Sequence, residues 1–251
     1  MNEWKSRVPA WAWVFLALLG LAVAFLVFSL LSGDDSEEPS ASPSAAQAST
    51  TPAPVPTQTN TDPNDSICGL PAGDQSIPEE APETTWELVN GYAVPTSEEF
   101  GPGIKENNQL KCFAHNPTGA LFAAARWIPM TSGSYETASA FIEDNQQISF
   151  SVESQRAEHL AKLKRSFENG GPTKLQVEGF KIEMIDEDNV VVTLALGGPL
   201  ETNSGYGRIS MPIPLKWENG DWVIQVSTTM SGPEWIDSLV SENFIPWSGV
   251  N

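Results

Sequence analysis

The chain has 251 residues, 40% of them hydrophobic, and a formal net charge of −19 at pH 7. This charge divides into +1 for residues 1–33, −6 for residues 34–66 and −14 for residues 67–251. An acidic domain repels phosphate backbones, which argues against nucleic acid as a partner.

The first predicted element is an apolar stretch at residues 8–31, which contains no charged side chain. At about 1.5 Å per residue, a helix of this length crosses the roughly 30 Å hydrocarbon core of a bilayer. Lys5 and Arg7 precede the stretch and acidic residues follow it, so the positive-inside rule predicts a cytoplasmic stub at residues 1–7 and an extracytoplasmic remainder. A cleaved signal peptide is the alternative, but the stretch is longer than a usual signal core and no small-x-small cleavage site follows it. We therefore expect a single-pass protein of the cell membrane.

Residues 32–66 are rich in Ser, Thr, Pro and Ala and contain no aromatic residue. Such a segment cannot bury enough apolar surface to offset the entropic cost of ordering it. It predicts a disordered linker whose prolines keep it extended and hold the following domain away from the bilayer.

The chain has two cysteines, Cys68 and Cys112, and both lie after the linker. Thiols outside the cytoplasm tend to be oxidised, and two thiols in one domain most simply pair with each other. We predict a disulfide between them, which would stabilise the fold by about 3 to 4 kcal/mol through loop closure. A metal site needs more ligands than two distant sulfurs, and two free thiols are the alternative if the compartment is not oxidising.

Residues 67–115 are dense in Pro and Gly but carry several aromatic side chains. This composition predicts an arm, with at most short strands, that wraps around a core built by residues 116–251. The disulfide would pin this arm to the core.

Three helices are predicted next. Asn116 is a suitable N-cap and Pro117 a suitable first helical residue, and the apolar periodicity after them predicts a helix to about residue 128. Two further periodic stretches predict helices at residues 135–145 and 154–167.

The apolar period then changes to two, which is typical of strands. Alternation and a continuous apolar run predict four strands, at residues 175–184, 190–196, 209–217 and 222–226. Gly179 permits a bulge in the first of them. Asn219-Gly220 indicates a hairpin between the last two, because both turn positions need a positive φ. A short terminal helix is predicted at residues 233–240.

Pro212 and Pro214 lie two residues apart in one predicted strand. Their missing N–H groups therefore fall on the same side, where the strand can have no regular neighbour. Met211, Pro212, Ile213 and Pro214 form the predicted docking edge for other proteins.

Helices followed by an antiparallel meander indicate an α+β fold. Over residues 116–229 this order resembles the cone-shaped fold of nuclear-transport-factor-2-like proteins. The resemblance implies three helices followed by a curved four-stranded antiparallel sheet around an interior that can hold a pocket.

No pattern for catalysis, a metal or a cofactor is present, so we predict a protein that is not an enzyme and needs no cofactor. His115 and His159 lack the spacing of a metal site and are interpreted as structural. A cone interior can house a general base, and Glu178, Glu183 and Tyr206 are the candidates. The alternative is that these three side chains face solvent from a sheet, which their alternation with apolar neighbours favours.

The extracytoplasmic part also resembles a family of single-pass membrane proteins of actinobacterial plasmids and integrative conjugative elements. The resemblance is carried by Ser66-Ile-Cys-Gly-Leu-Pro71, Trp86, Pro95-Thr-Ser97, Gly101-Pro-Gly103, Cys112-Phe-x-His115-x-Pro117-Thr-Gly-Ala120, Trp217-Glu-Asn-Gly-Asp-Trp222 and Phe244-Ile-Pro-Trp247. It implies an association with conjugative DNA transfer. The layout of stub, span and external domain is similar to the scaffold components of type IV secretion systems.

The resemblance and the layout together imply a structural component of a conjugation apparatus that acts by docking to its other subunits. A stalked binding module for a small ligand or a cell-wall polymer is the alternative. A homo-oligomer is also left open.

Overall fold

The computed structural model describes residues 64–107, 109–199, 205–228 and 231–249. The predicted cytoplasmic stub, the apolar stretch at residues 8–31 and nearly all of the predicted linker lie outside these ranges. Within the described ranges, no helix is long and apolar enough to cross a membrane.

The described residues form four helices: α1 (Pro117–Ala125), α2 (Trp127–Ser132), α3 (Tyr135–Glu143) and α4 (Glu153–Glu168). They also form eleven strands: β1 (Thr85–Val89), β2 (Tyr92–Thr96), β3 (Ile104–Glu106), β4 (Gln109–Lys111), β5 (Ile148–Phe150), β6 (Gln176–Met184), β7 (Asn189–Pro199), β8 (Tyr206–Glu218), β9 (Asp221–Val226), β10 (Glu234–Trp235) and β11 (Ile245–Pro246).

Helix α1 begins as predicted, because the side chain of Asn116 accepts a hydrogen bond from the backbone N–H of Gly119 at 2.6 Å. All of its residues are buried, so it is the central helix of the core. It ends at Ala125 rather than near residue 128. Pro129 has no N–H to donate to the carbonyl of Ala125, and a separate helix, α2, follows.

The largest sheet in the described part of the chain has seven strands in the order β11-β6-β7-β8-β9-β5, with β10 also paired to β8. Strands β6 to β9 form an antiparallel meander at the predicted positions. Asn219 and Gly220 turn the chain between β8 and β9 with φ values of 56° and 80°, as the hairpin prediction requires. Strand β5 pairs with β9 in parallel.

The predicted cone of the nuclear-transport-factor-2-like type is wrong, because the described residues form a mixed seven-stranded sheet instead of a four-stranded antiparallel one. The additional strands β5, β10 and β11 have only two or three residues each, too few to show a period of two. The helix predicted at residues 233–240 is also wrong. That segment begins with β10 and continues with the N–H of Ile236 donating to the carbonyl of Arg208, so it is held by β8 instead of by helical bonds.

Successive side chains of β7 point to opposite faces of the sheet. Val192, Leu194 and Leu196 are fully buried on the face that packs against α1. Ala195 and Gly197 point to the other face, here called the outer face. Ala195 is also 0% exposed, so something other than helix α1 covers this face at that point.

The predicted disulfide joins Cys68 and Cys112, whose Cα atoms are 6.0 Å apart. Beside it, the N–H of Ile67 donates to the carbonyl of Gly220 in the β8–β9 turn at 2.9 Å. The arm at residues 67–115 contains the short strands β1 to β4 as two separate hairpins. It is thus fastened at the end of β8 that leads into the Asn219-Gly220 turn.

Candidate functional site

The carboxyl-terminal segment covers the outer face of the sheet. Its strand β10 pairs with Ser210 and Ile209 of β8, and its strand β11 pairs with Phe180 and Gly179 of β6. Residues 234–246, here called the strap, must therefore cross β7 to reach the far edge of β6.

Contacts on the outer face agree with this path. Nζ of Lys181 lies over the ring of Phe244, and the distance from Nζ to the ring centroid is 4.2 Å. The side chain of Leu239 lies 3.4 Å from the point where a Cβ on Gly179 would be. The strap thus forms one wall of the space around the first residues of β6.

A β-bulge between Val177 and Gly179 leaves Glu178 without a register partner in β7. The carboxylate of Glu178 accepts hydrogen bonds from the hydroxyl of Tyr206 and from Nε of Arg208, the latter at 2.5 Å. Tyr206 and Arg208 are two residues apart in β8 and share the outer face. We call these three side chains the Glu178 cluster.

Gly197 of β7 lies beneath the Glu178 cluster, between the strands that contribute it. A Cβ at this position would lie 2.5 Å from the hydroxyl oxygen of Tyr206 and would also overlap the carboxyl group of Glu178. The cluster therefore requires glycine at position 197.

The Glu178 cluster borders an open groove of about 540 Å³. The groove is lined by Ala81, Pro82, Thr84, Trp86, Glu178, Arg208, Leu239, Pro246, Trp247 and Ser248. The ring centroids of Trp86 and Trp247 are 5.2 Å apart, and Nε1 of Trp247 donates to the hydroxyl of Thr84 at 2.9 Å. The backbone N–H of Trp247 also donates to the carbonyl of Glu178 at 2.8 Å, which fixes the aromatic wall relative to the polar one.

The protonation state of Tyr206 follows from its surroundings. Burial and the neighbouring carboxylate of Glu178 raise the pKa of Tyr206 to about 12, against an opposing effect of Arg208. The phenol is therefore protonated at neutral pH and acts as a hydrogen-bond donor, which makes it unsuitable as a general base.

The guanidinium of Arg208 has hydrogen-bond donors that Glu178 does not use. Its side chain is 36% exposed, and its guanidinium lies 5.4 Å from the centroid of the Tyr206 ring. Within the described part of the chain, only Nε of Arg208 donates a hydrogen bond, and its acceptor is Glu178. Among the described residues, the two terminal amino groups, Nη1 and Nη2, have no hydrogen-bond acceptor, and Arg208 lines the groove.

The structure brings Glu178 and Tyr206 together, as two of the three predicted candidates for a base. They meet on the outer face of the sheet and not in a closed interior. Glu183, the third candidate, is exposed near the other end of β6 and does not line the groove.

The predicted docking edge lies in the middle of β8, with Met211 to Pro214 paired to β7 on one side. On the other side, the pairing with β9 stops at Leu215 and the pairing with β10 starts at Ser210. The prolines thus coincide with a break in that pairing. However, Ile213 is 1% exposed and Met211 packs against the core, so these two side chains face inward.

The two histidines make contacts of a structural kind. The imidazole of His115 stacks on Trp217 with 4.1 Å between ring centroids, and His159 lies edge-on to Phe150. In the described ranges, no group of three or more His, Cys, Asp and Glu side chains is arranged to hold a metal ion.

The sequence reasoning missed Trp86, Arg208, Leu239 and Trp247 as parts of one site. Trp86 lies on β1, Arg208 on β8 and Leu239 on the strap, and Trp247 directly follows β11. These four residues are far apart in the sequence, so no short motif contains them. The two tryptophans occur in the strings that resemble the plasmid family, and this was the one signal that pointed to them.

A family model described as a domain of unknown function (DUF8175) matches residues 46–242. The chain belongs to this family. The DUF8175 match includes the Glu178 cluster, Trp86 and Leu239, and it ends before Trp247. No curated protein matches the chain.

Proposed function

We propose that this protein is a membrane-tethered binding module that takes up a polar, extracytoplasmic ligand in the groove and does not transform it. The single observation that carries the proposal is the arrangement of the Glu178 cluster. Both oxygens of Glu178 are engaged by Tyr206 and Arg208, and the terminal donors of Arg208 are left for a ligand.

This arrangement favours binding over chemistry. A general acid or base needs a group whose pKa lies near the working pH, and the pKa of Tyr206 is raised away from neutrality, to about 12. A preformed hydrogen-bond network beside an apolar wall is instead typical of a ligand site, because its polar groups are already oriented before the ligand arrives.

The extracytoplasmic location is part of the proposal. It is supported by the apolar stretch at residues 8–31 with basic residues before it, and by the disulfide between Cys68 and Cys112. A polymer of the cell wall is the ligand that such a tethered module meets at high concentration.

The test is co-sedimentation of the full-length protein, in detergent micelles, with cell walls purified from the cells in which the protein naturally occurs. We expect the protein to pellet with the walls, and Arg208→Ala to reduce the bound fraction at least fivefold. Lys216→Ala is the matched control, because Lys216 lies on the same strand and face and is paired with Glu218. Absence of pelleting, or equal pelleting of the wild type and Arg208→Ala, would overturn the proposal.

A role in the assembly of a conjugation apparatus is a second candidate, favoured by exposed apolar side chains on the strap. Trp235 is 70% exposed and Val240 is 82% exposed. Large apolar side chains exposed on one segment are candidates for a docking surface.

For this candidate the expected outcome is that Trp235→Ser lowers the frequency of plasmid transfer at least tenfold at an unchanged protein level. Leu88→Ser is the control, because Leu88 is also strongly exposed, at 80%, but lies on the arm. Equal transfer by the Trp235→Ser strain and the wild type would exclude docking through this part of the strap.

A further inference from the structure

The groove offers a ligand two different kinds of surface. One wall is apolar and rigid, with the indoles of Trp86 and Trp247 and the rings of Pro82 and Pro246. The backbone of Gly249 lies directly against the indole of Trp86, which limits the rotation of this ring. The other wall includes Glu178 and Arg208 of the Glu178 cluster.

The hydrogen-bonding groups of the groove are mostly satisfied within the protein. The hydroxyl of Thr84 accepts from Trp247 and donates to the carbonyl of Pro82 at 2.7 Å. Glu178 accepts from Tyr206 and Arg208. Among the described residues, Nη1 and Nη2 of Arg208 remain as donors at the polar wall, and they favour a ligand that presents acceptors.

The charge balance selects against an anionic ligand. The positive charge of Arg208 is offset by Glu178, whose side chain is only 13% exposed and lies 2.5 Å from it. Residues 67–251 add a net charge of −14. The charge of Glu178 and the net negative charge of the domain would weaken the attraction of a carboxylate or phosphate to the free end of Arg208, whereas a carbonyl or hydroxyl oxygen would not be opposed in this way.

We propose that the groove binds a neutral glycan chain bearing N-acetyl groups, with the apolar surface of a sugar ring on Trp86 and with carbonyl or hydroxyl oxygens accepting from Arg208. This inference rests on the proposed function and narrows its ligand from a wall polymer in general to the uncharged glycan. A sugar ring combines the two properties that the groove requires, a flat apolar surface and acceptors without charge.

The experiment is calorimetric titration of the full-length protein in detergent micelles with tetra-N-acetylchitotetraose. We expect the dissociation constant to change by less than about twofold between roughly 50 and 500 mM salt, because the ligand carries no charge. Trp86→Ala and Arg208→Ala are each expected to weaken it about tenfold or more, which corresponds to about 1.4 kcal/mol. Arg208→Lys weakens it as well, because an ammonium lacks the planar pair of donors. Lys216→Ala leaves it unchanged.

Two further probes test the chemical class. Tetragalacturonate carries a carboxylate on each ring, and tighter binding of this probe than of the neutral one would overturn the inference. A proline-rich peptide of alternating Ala and Pro tests the alternative of a peptide in an aromatic groove, and tighter binding of the peptide would also overturn it.

Failure of this inference is distinguishable from failure of the proposed function. Walls stripped of their anionic polymers with hydrofluoric acid retain the glycan, so the inference expects Arg208-dependent pelleting to persist with stripped walls. Pelleting that depends on Arg208 with intact walls but disappears with stripped walls would leave the proposed function standing and overturn the glycan. No binding to either kind of wall overturns both.

Discussion

Arg126 and Asp221 form a buried ion pair in the centre of the fold, with Nη1 of Arg126 3.8 Å from Oδ2 of Asp221. Arg126 follows helix α1, and its guanidinium donates to the carbonyls of Leu110, Gln147 and Trp222. The carboxylate of Asp221 accepts from the backbone N–H groups of Cys112, Phe113 and Trp222. Burial raises the pKa of Asp221, and the charge of Arg126 opposes this effect. The pair thus joins the arm, helix α1 and strand β9.

The first prediction concerns this pair. Replacing Arg126 by Met leaves the carboxylate of Asp221 buried without its counter-charge, and it is expected to lower the free energy of unfolding by about 3 to 5 kcal/mol. Urea denaturation of the full-length protein, followed by tryptophan fluorescence, measures the change. Lys216→Met is an exposed control, expected within about 0.5 kcal/mol of the wild type. A change below about 1 kcal/mol for Arg126→Met would contradict the assigned role.

The second prediction concerns the disulfide. Cys68→Ser together with Cys112→Ser is expected to lower the free energy of unfolding by about 2 to 4 kcal/mol, because the unfolded chain is no longer cross-linked. Adding a reductant to the wild type should produce a similar loss, and adding it to the double variant should produce none. A reductant effect on the double variant would show that some other group is responsible.

The third prediction concerns Gly197. A methyl group from Gly197→Ala would displace the carboxylate of Glu178 and the hydroxyl of Tyr206, so binding of walls or of chitotetraose is expected to fall at least fivefold. Gly232→Ala is the matched control, because a Cβ at Gly232 would meet no atom within 4 Å. Equal losses in the two variants would mean that the Glu178 cluster does not carry the binding.

The fourth prediction concerns Tyr206 and pH. Its pKa of about 12 in the folded protein exceeds the unfolded value of about 10, so the folded state holds this proton more tightly. The resulting stabilisation is fully present below about pH 10 and is lost as the pH rises towards about 12. Glu178→Gln removes a charge that opposes the phenolate, so it should lower the pKa of Tyr206.

Absorbance of tyrosinate across this pH range measures the change. Tyr206→Phe serves to identify the signal, which should disappear from the titration curve of that variant. A curve for Glu178→Gln that coincides with the wild type would show that the two side chains do not interact in solution.

The long, regular elements could be predicted from the sequence because their signals are local. Asn116 and Pro117 start α1 through a cap and a fixed φ, and Asn219-Gly220 makes its turn because both residues adopt positive φ. The two cysteines had each other as the simplest partner. The cap and the turn depend on adjacent residues, and the disulfide follows from the number of cysteines. These features can therefore be predicted from a single sequence.

The cone and the terminal helix were predicted wrongly for the opposite reason. Residues 234–246 follow the surface of the sheet, and strands of two residues are defined only by the strand they meet. The groove likewise depends on the bulge at Glu178, on the absence of a side chain at Gly197 and on a strap that carries Leu239. None of these relationships is visible until the topology is known.

The fastening of the arm has a mechanical consequence. Ile67 and Cys68 hold the arm at the β8–β9 turn, and Arg208 lies ten residues back along β8 from Glu218, about 33 Å away at the usual rise of a strand. Tension applied through the residues before Asn64 would enter the fold at the disulfide and pass into the middle of the sheet. A pull on the residues before Asn64 would therefore load Cys112 and the β8–β9 hairpin first, and it would reach Arg208, near the far end of β8, last.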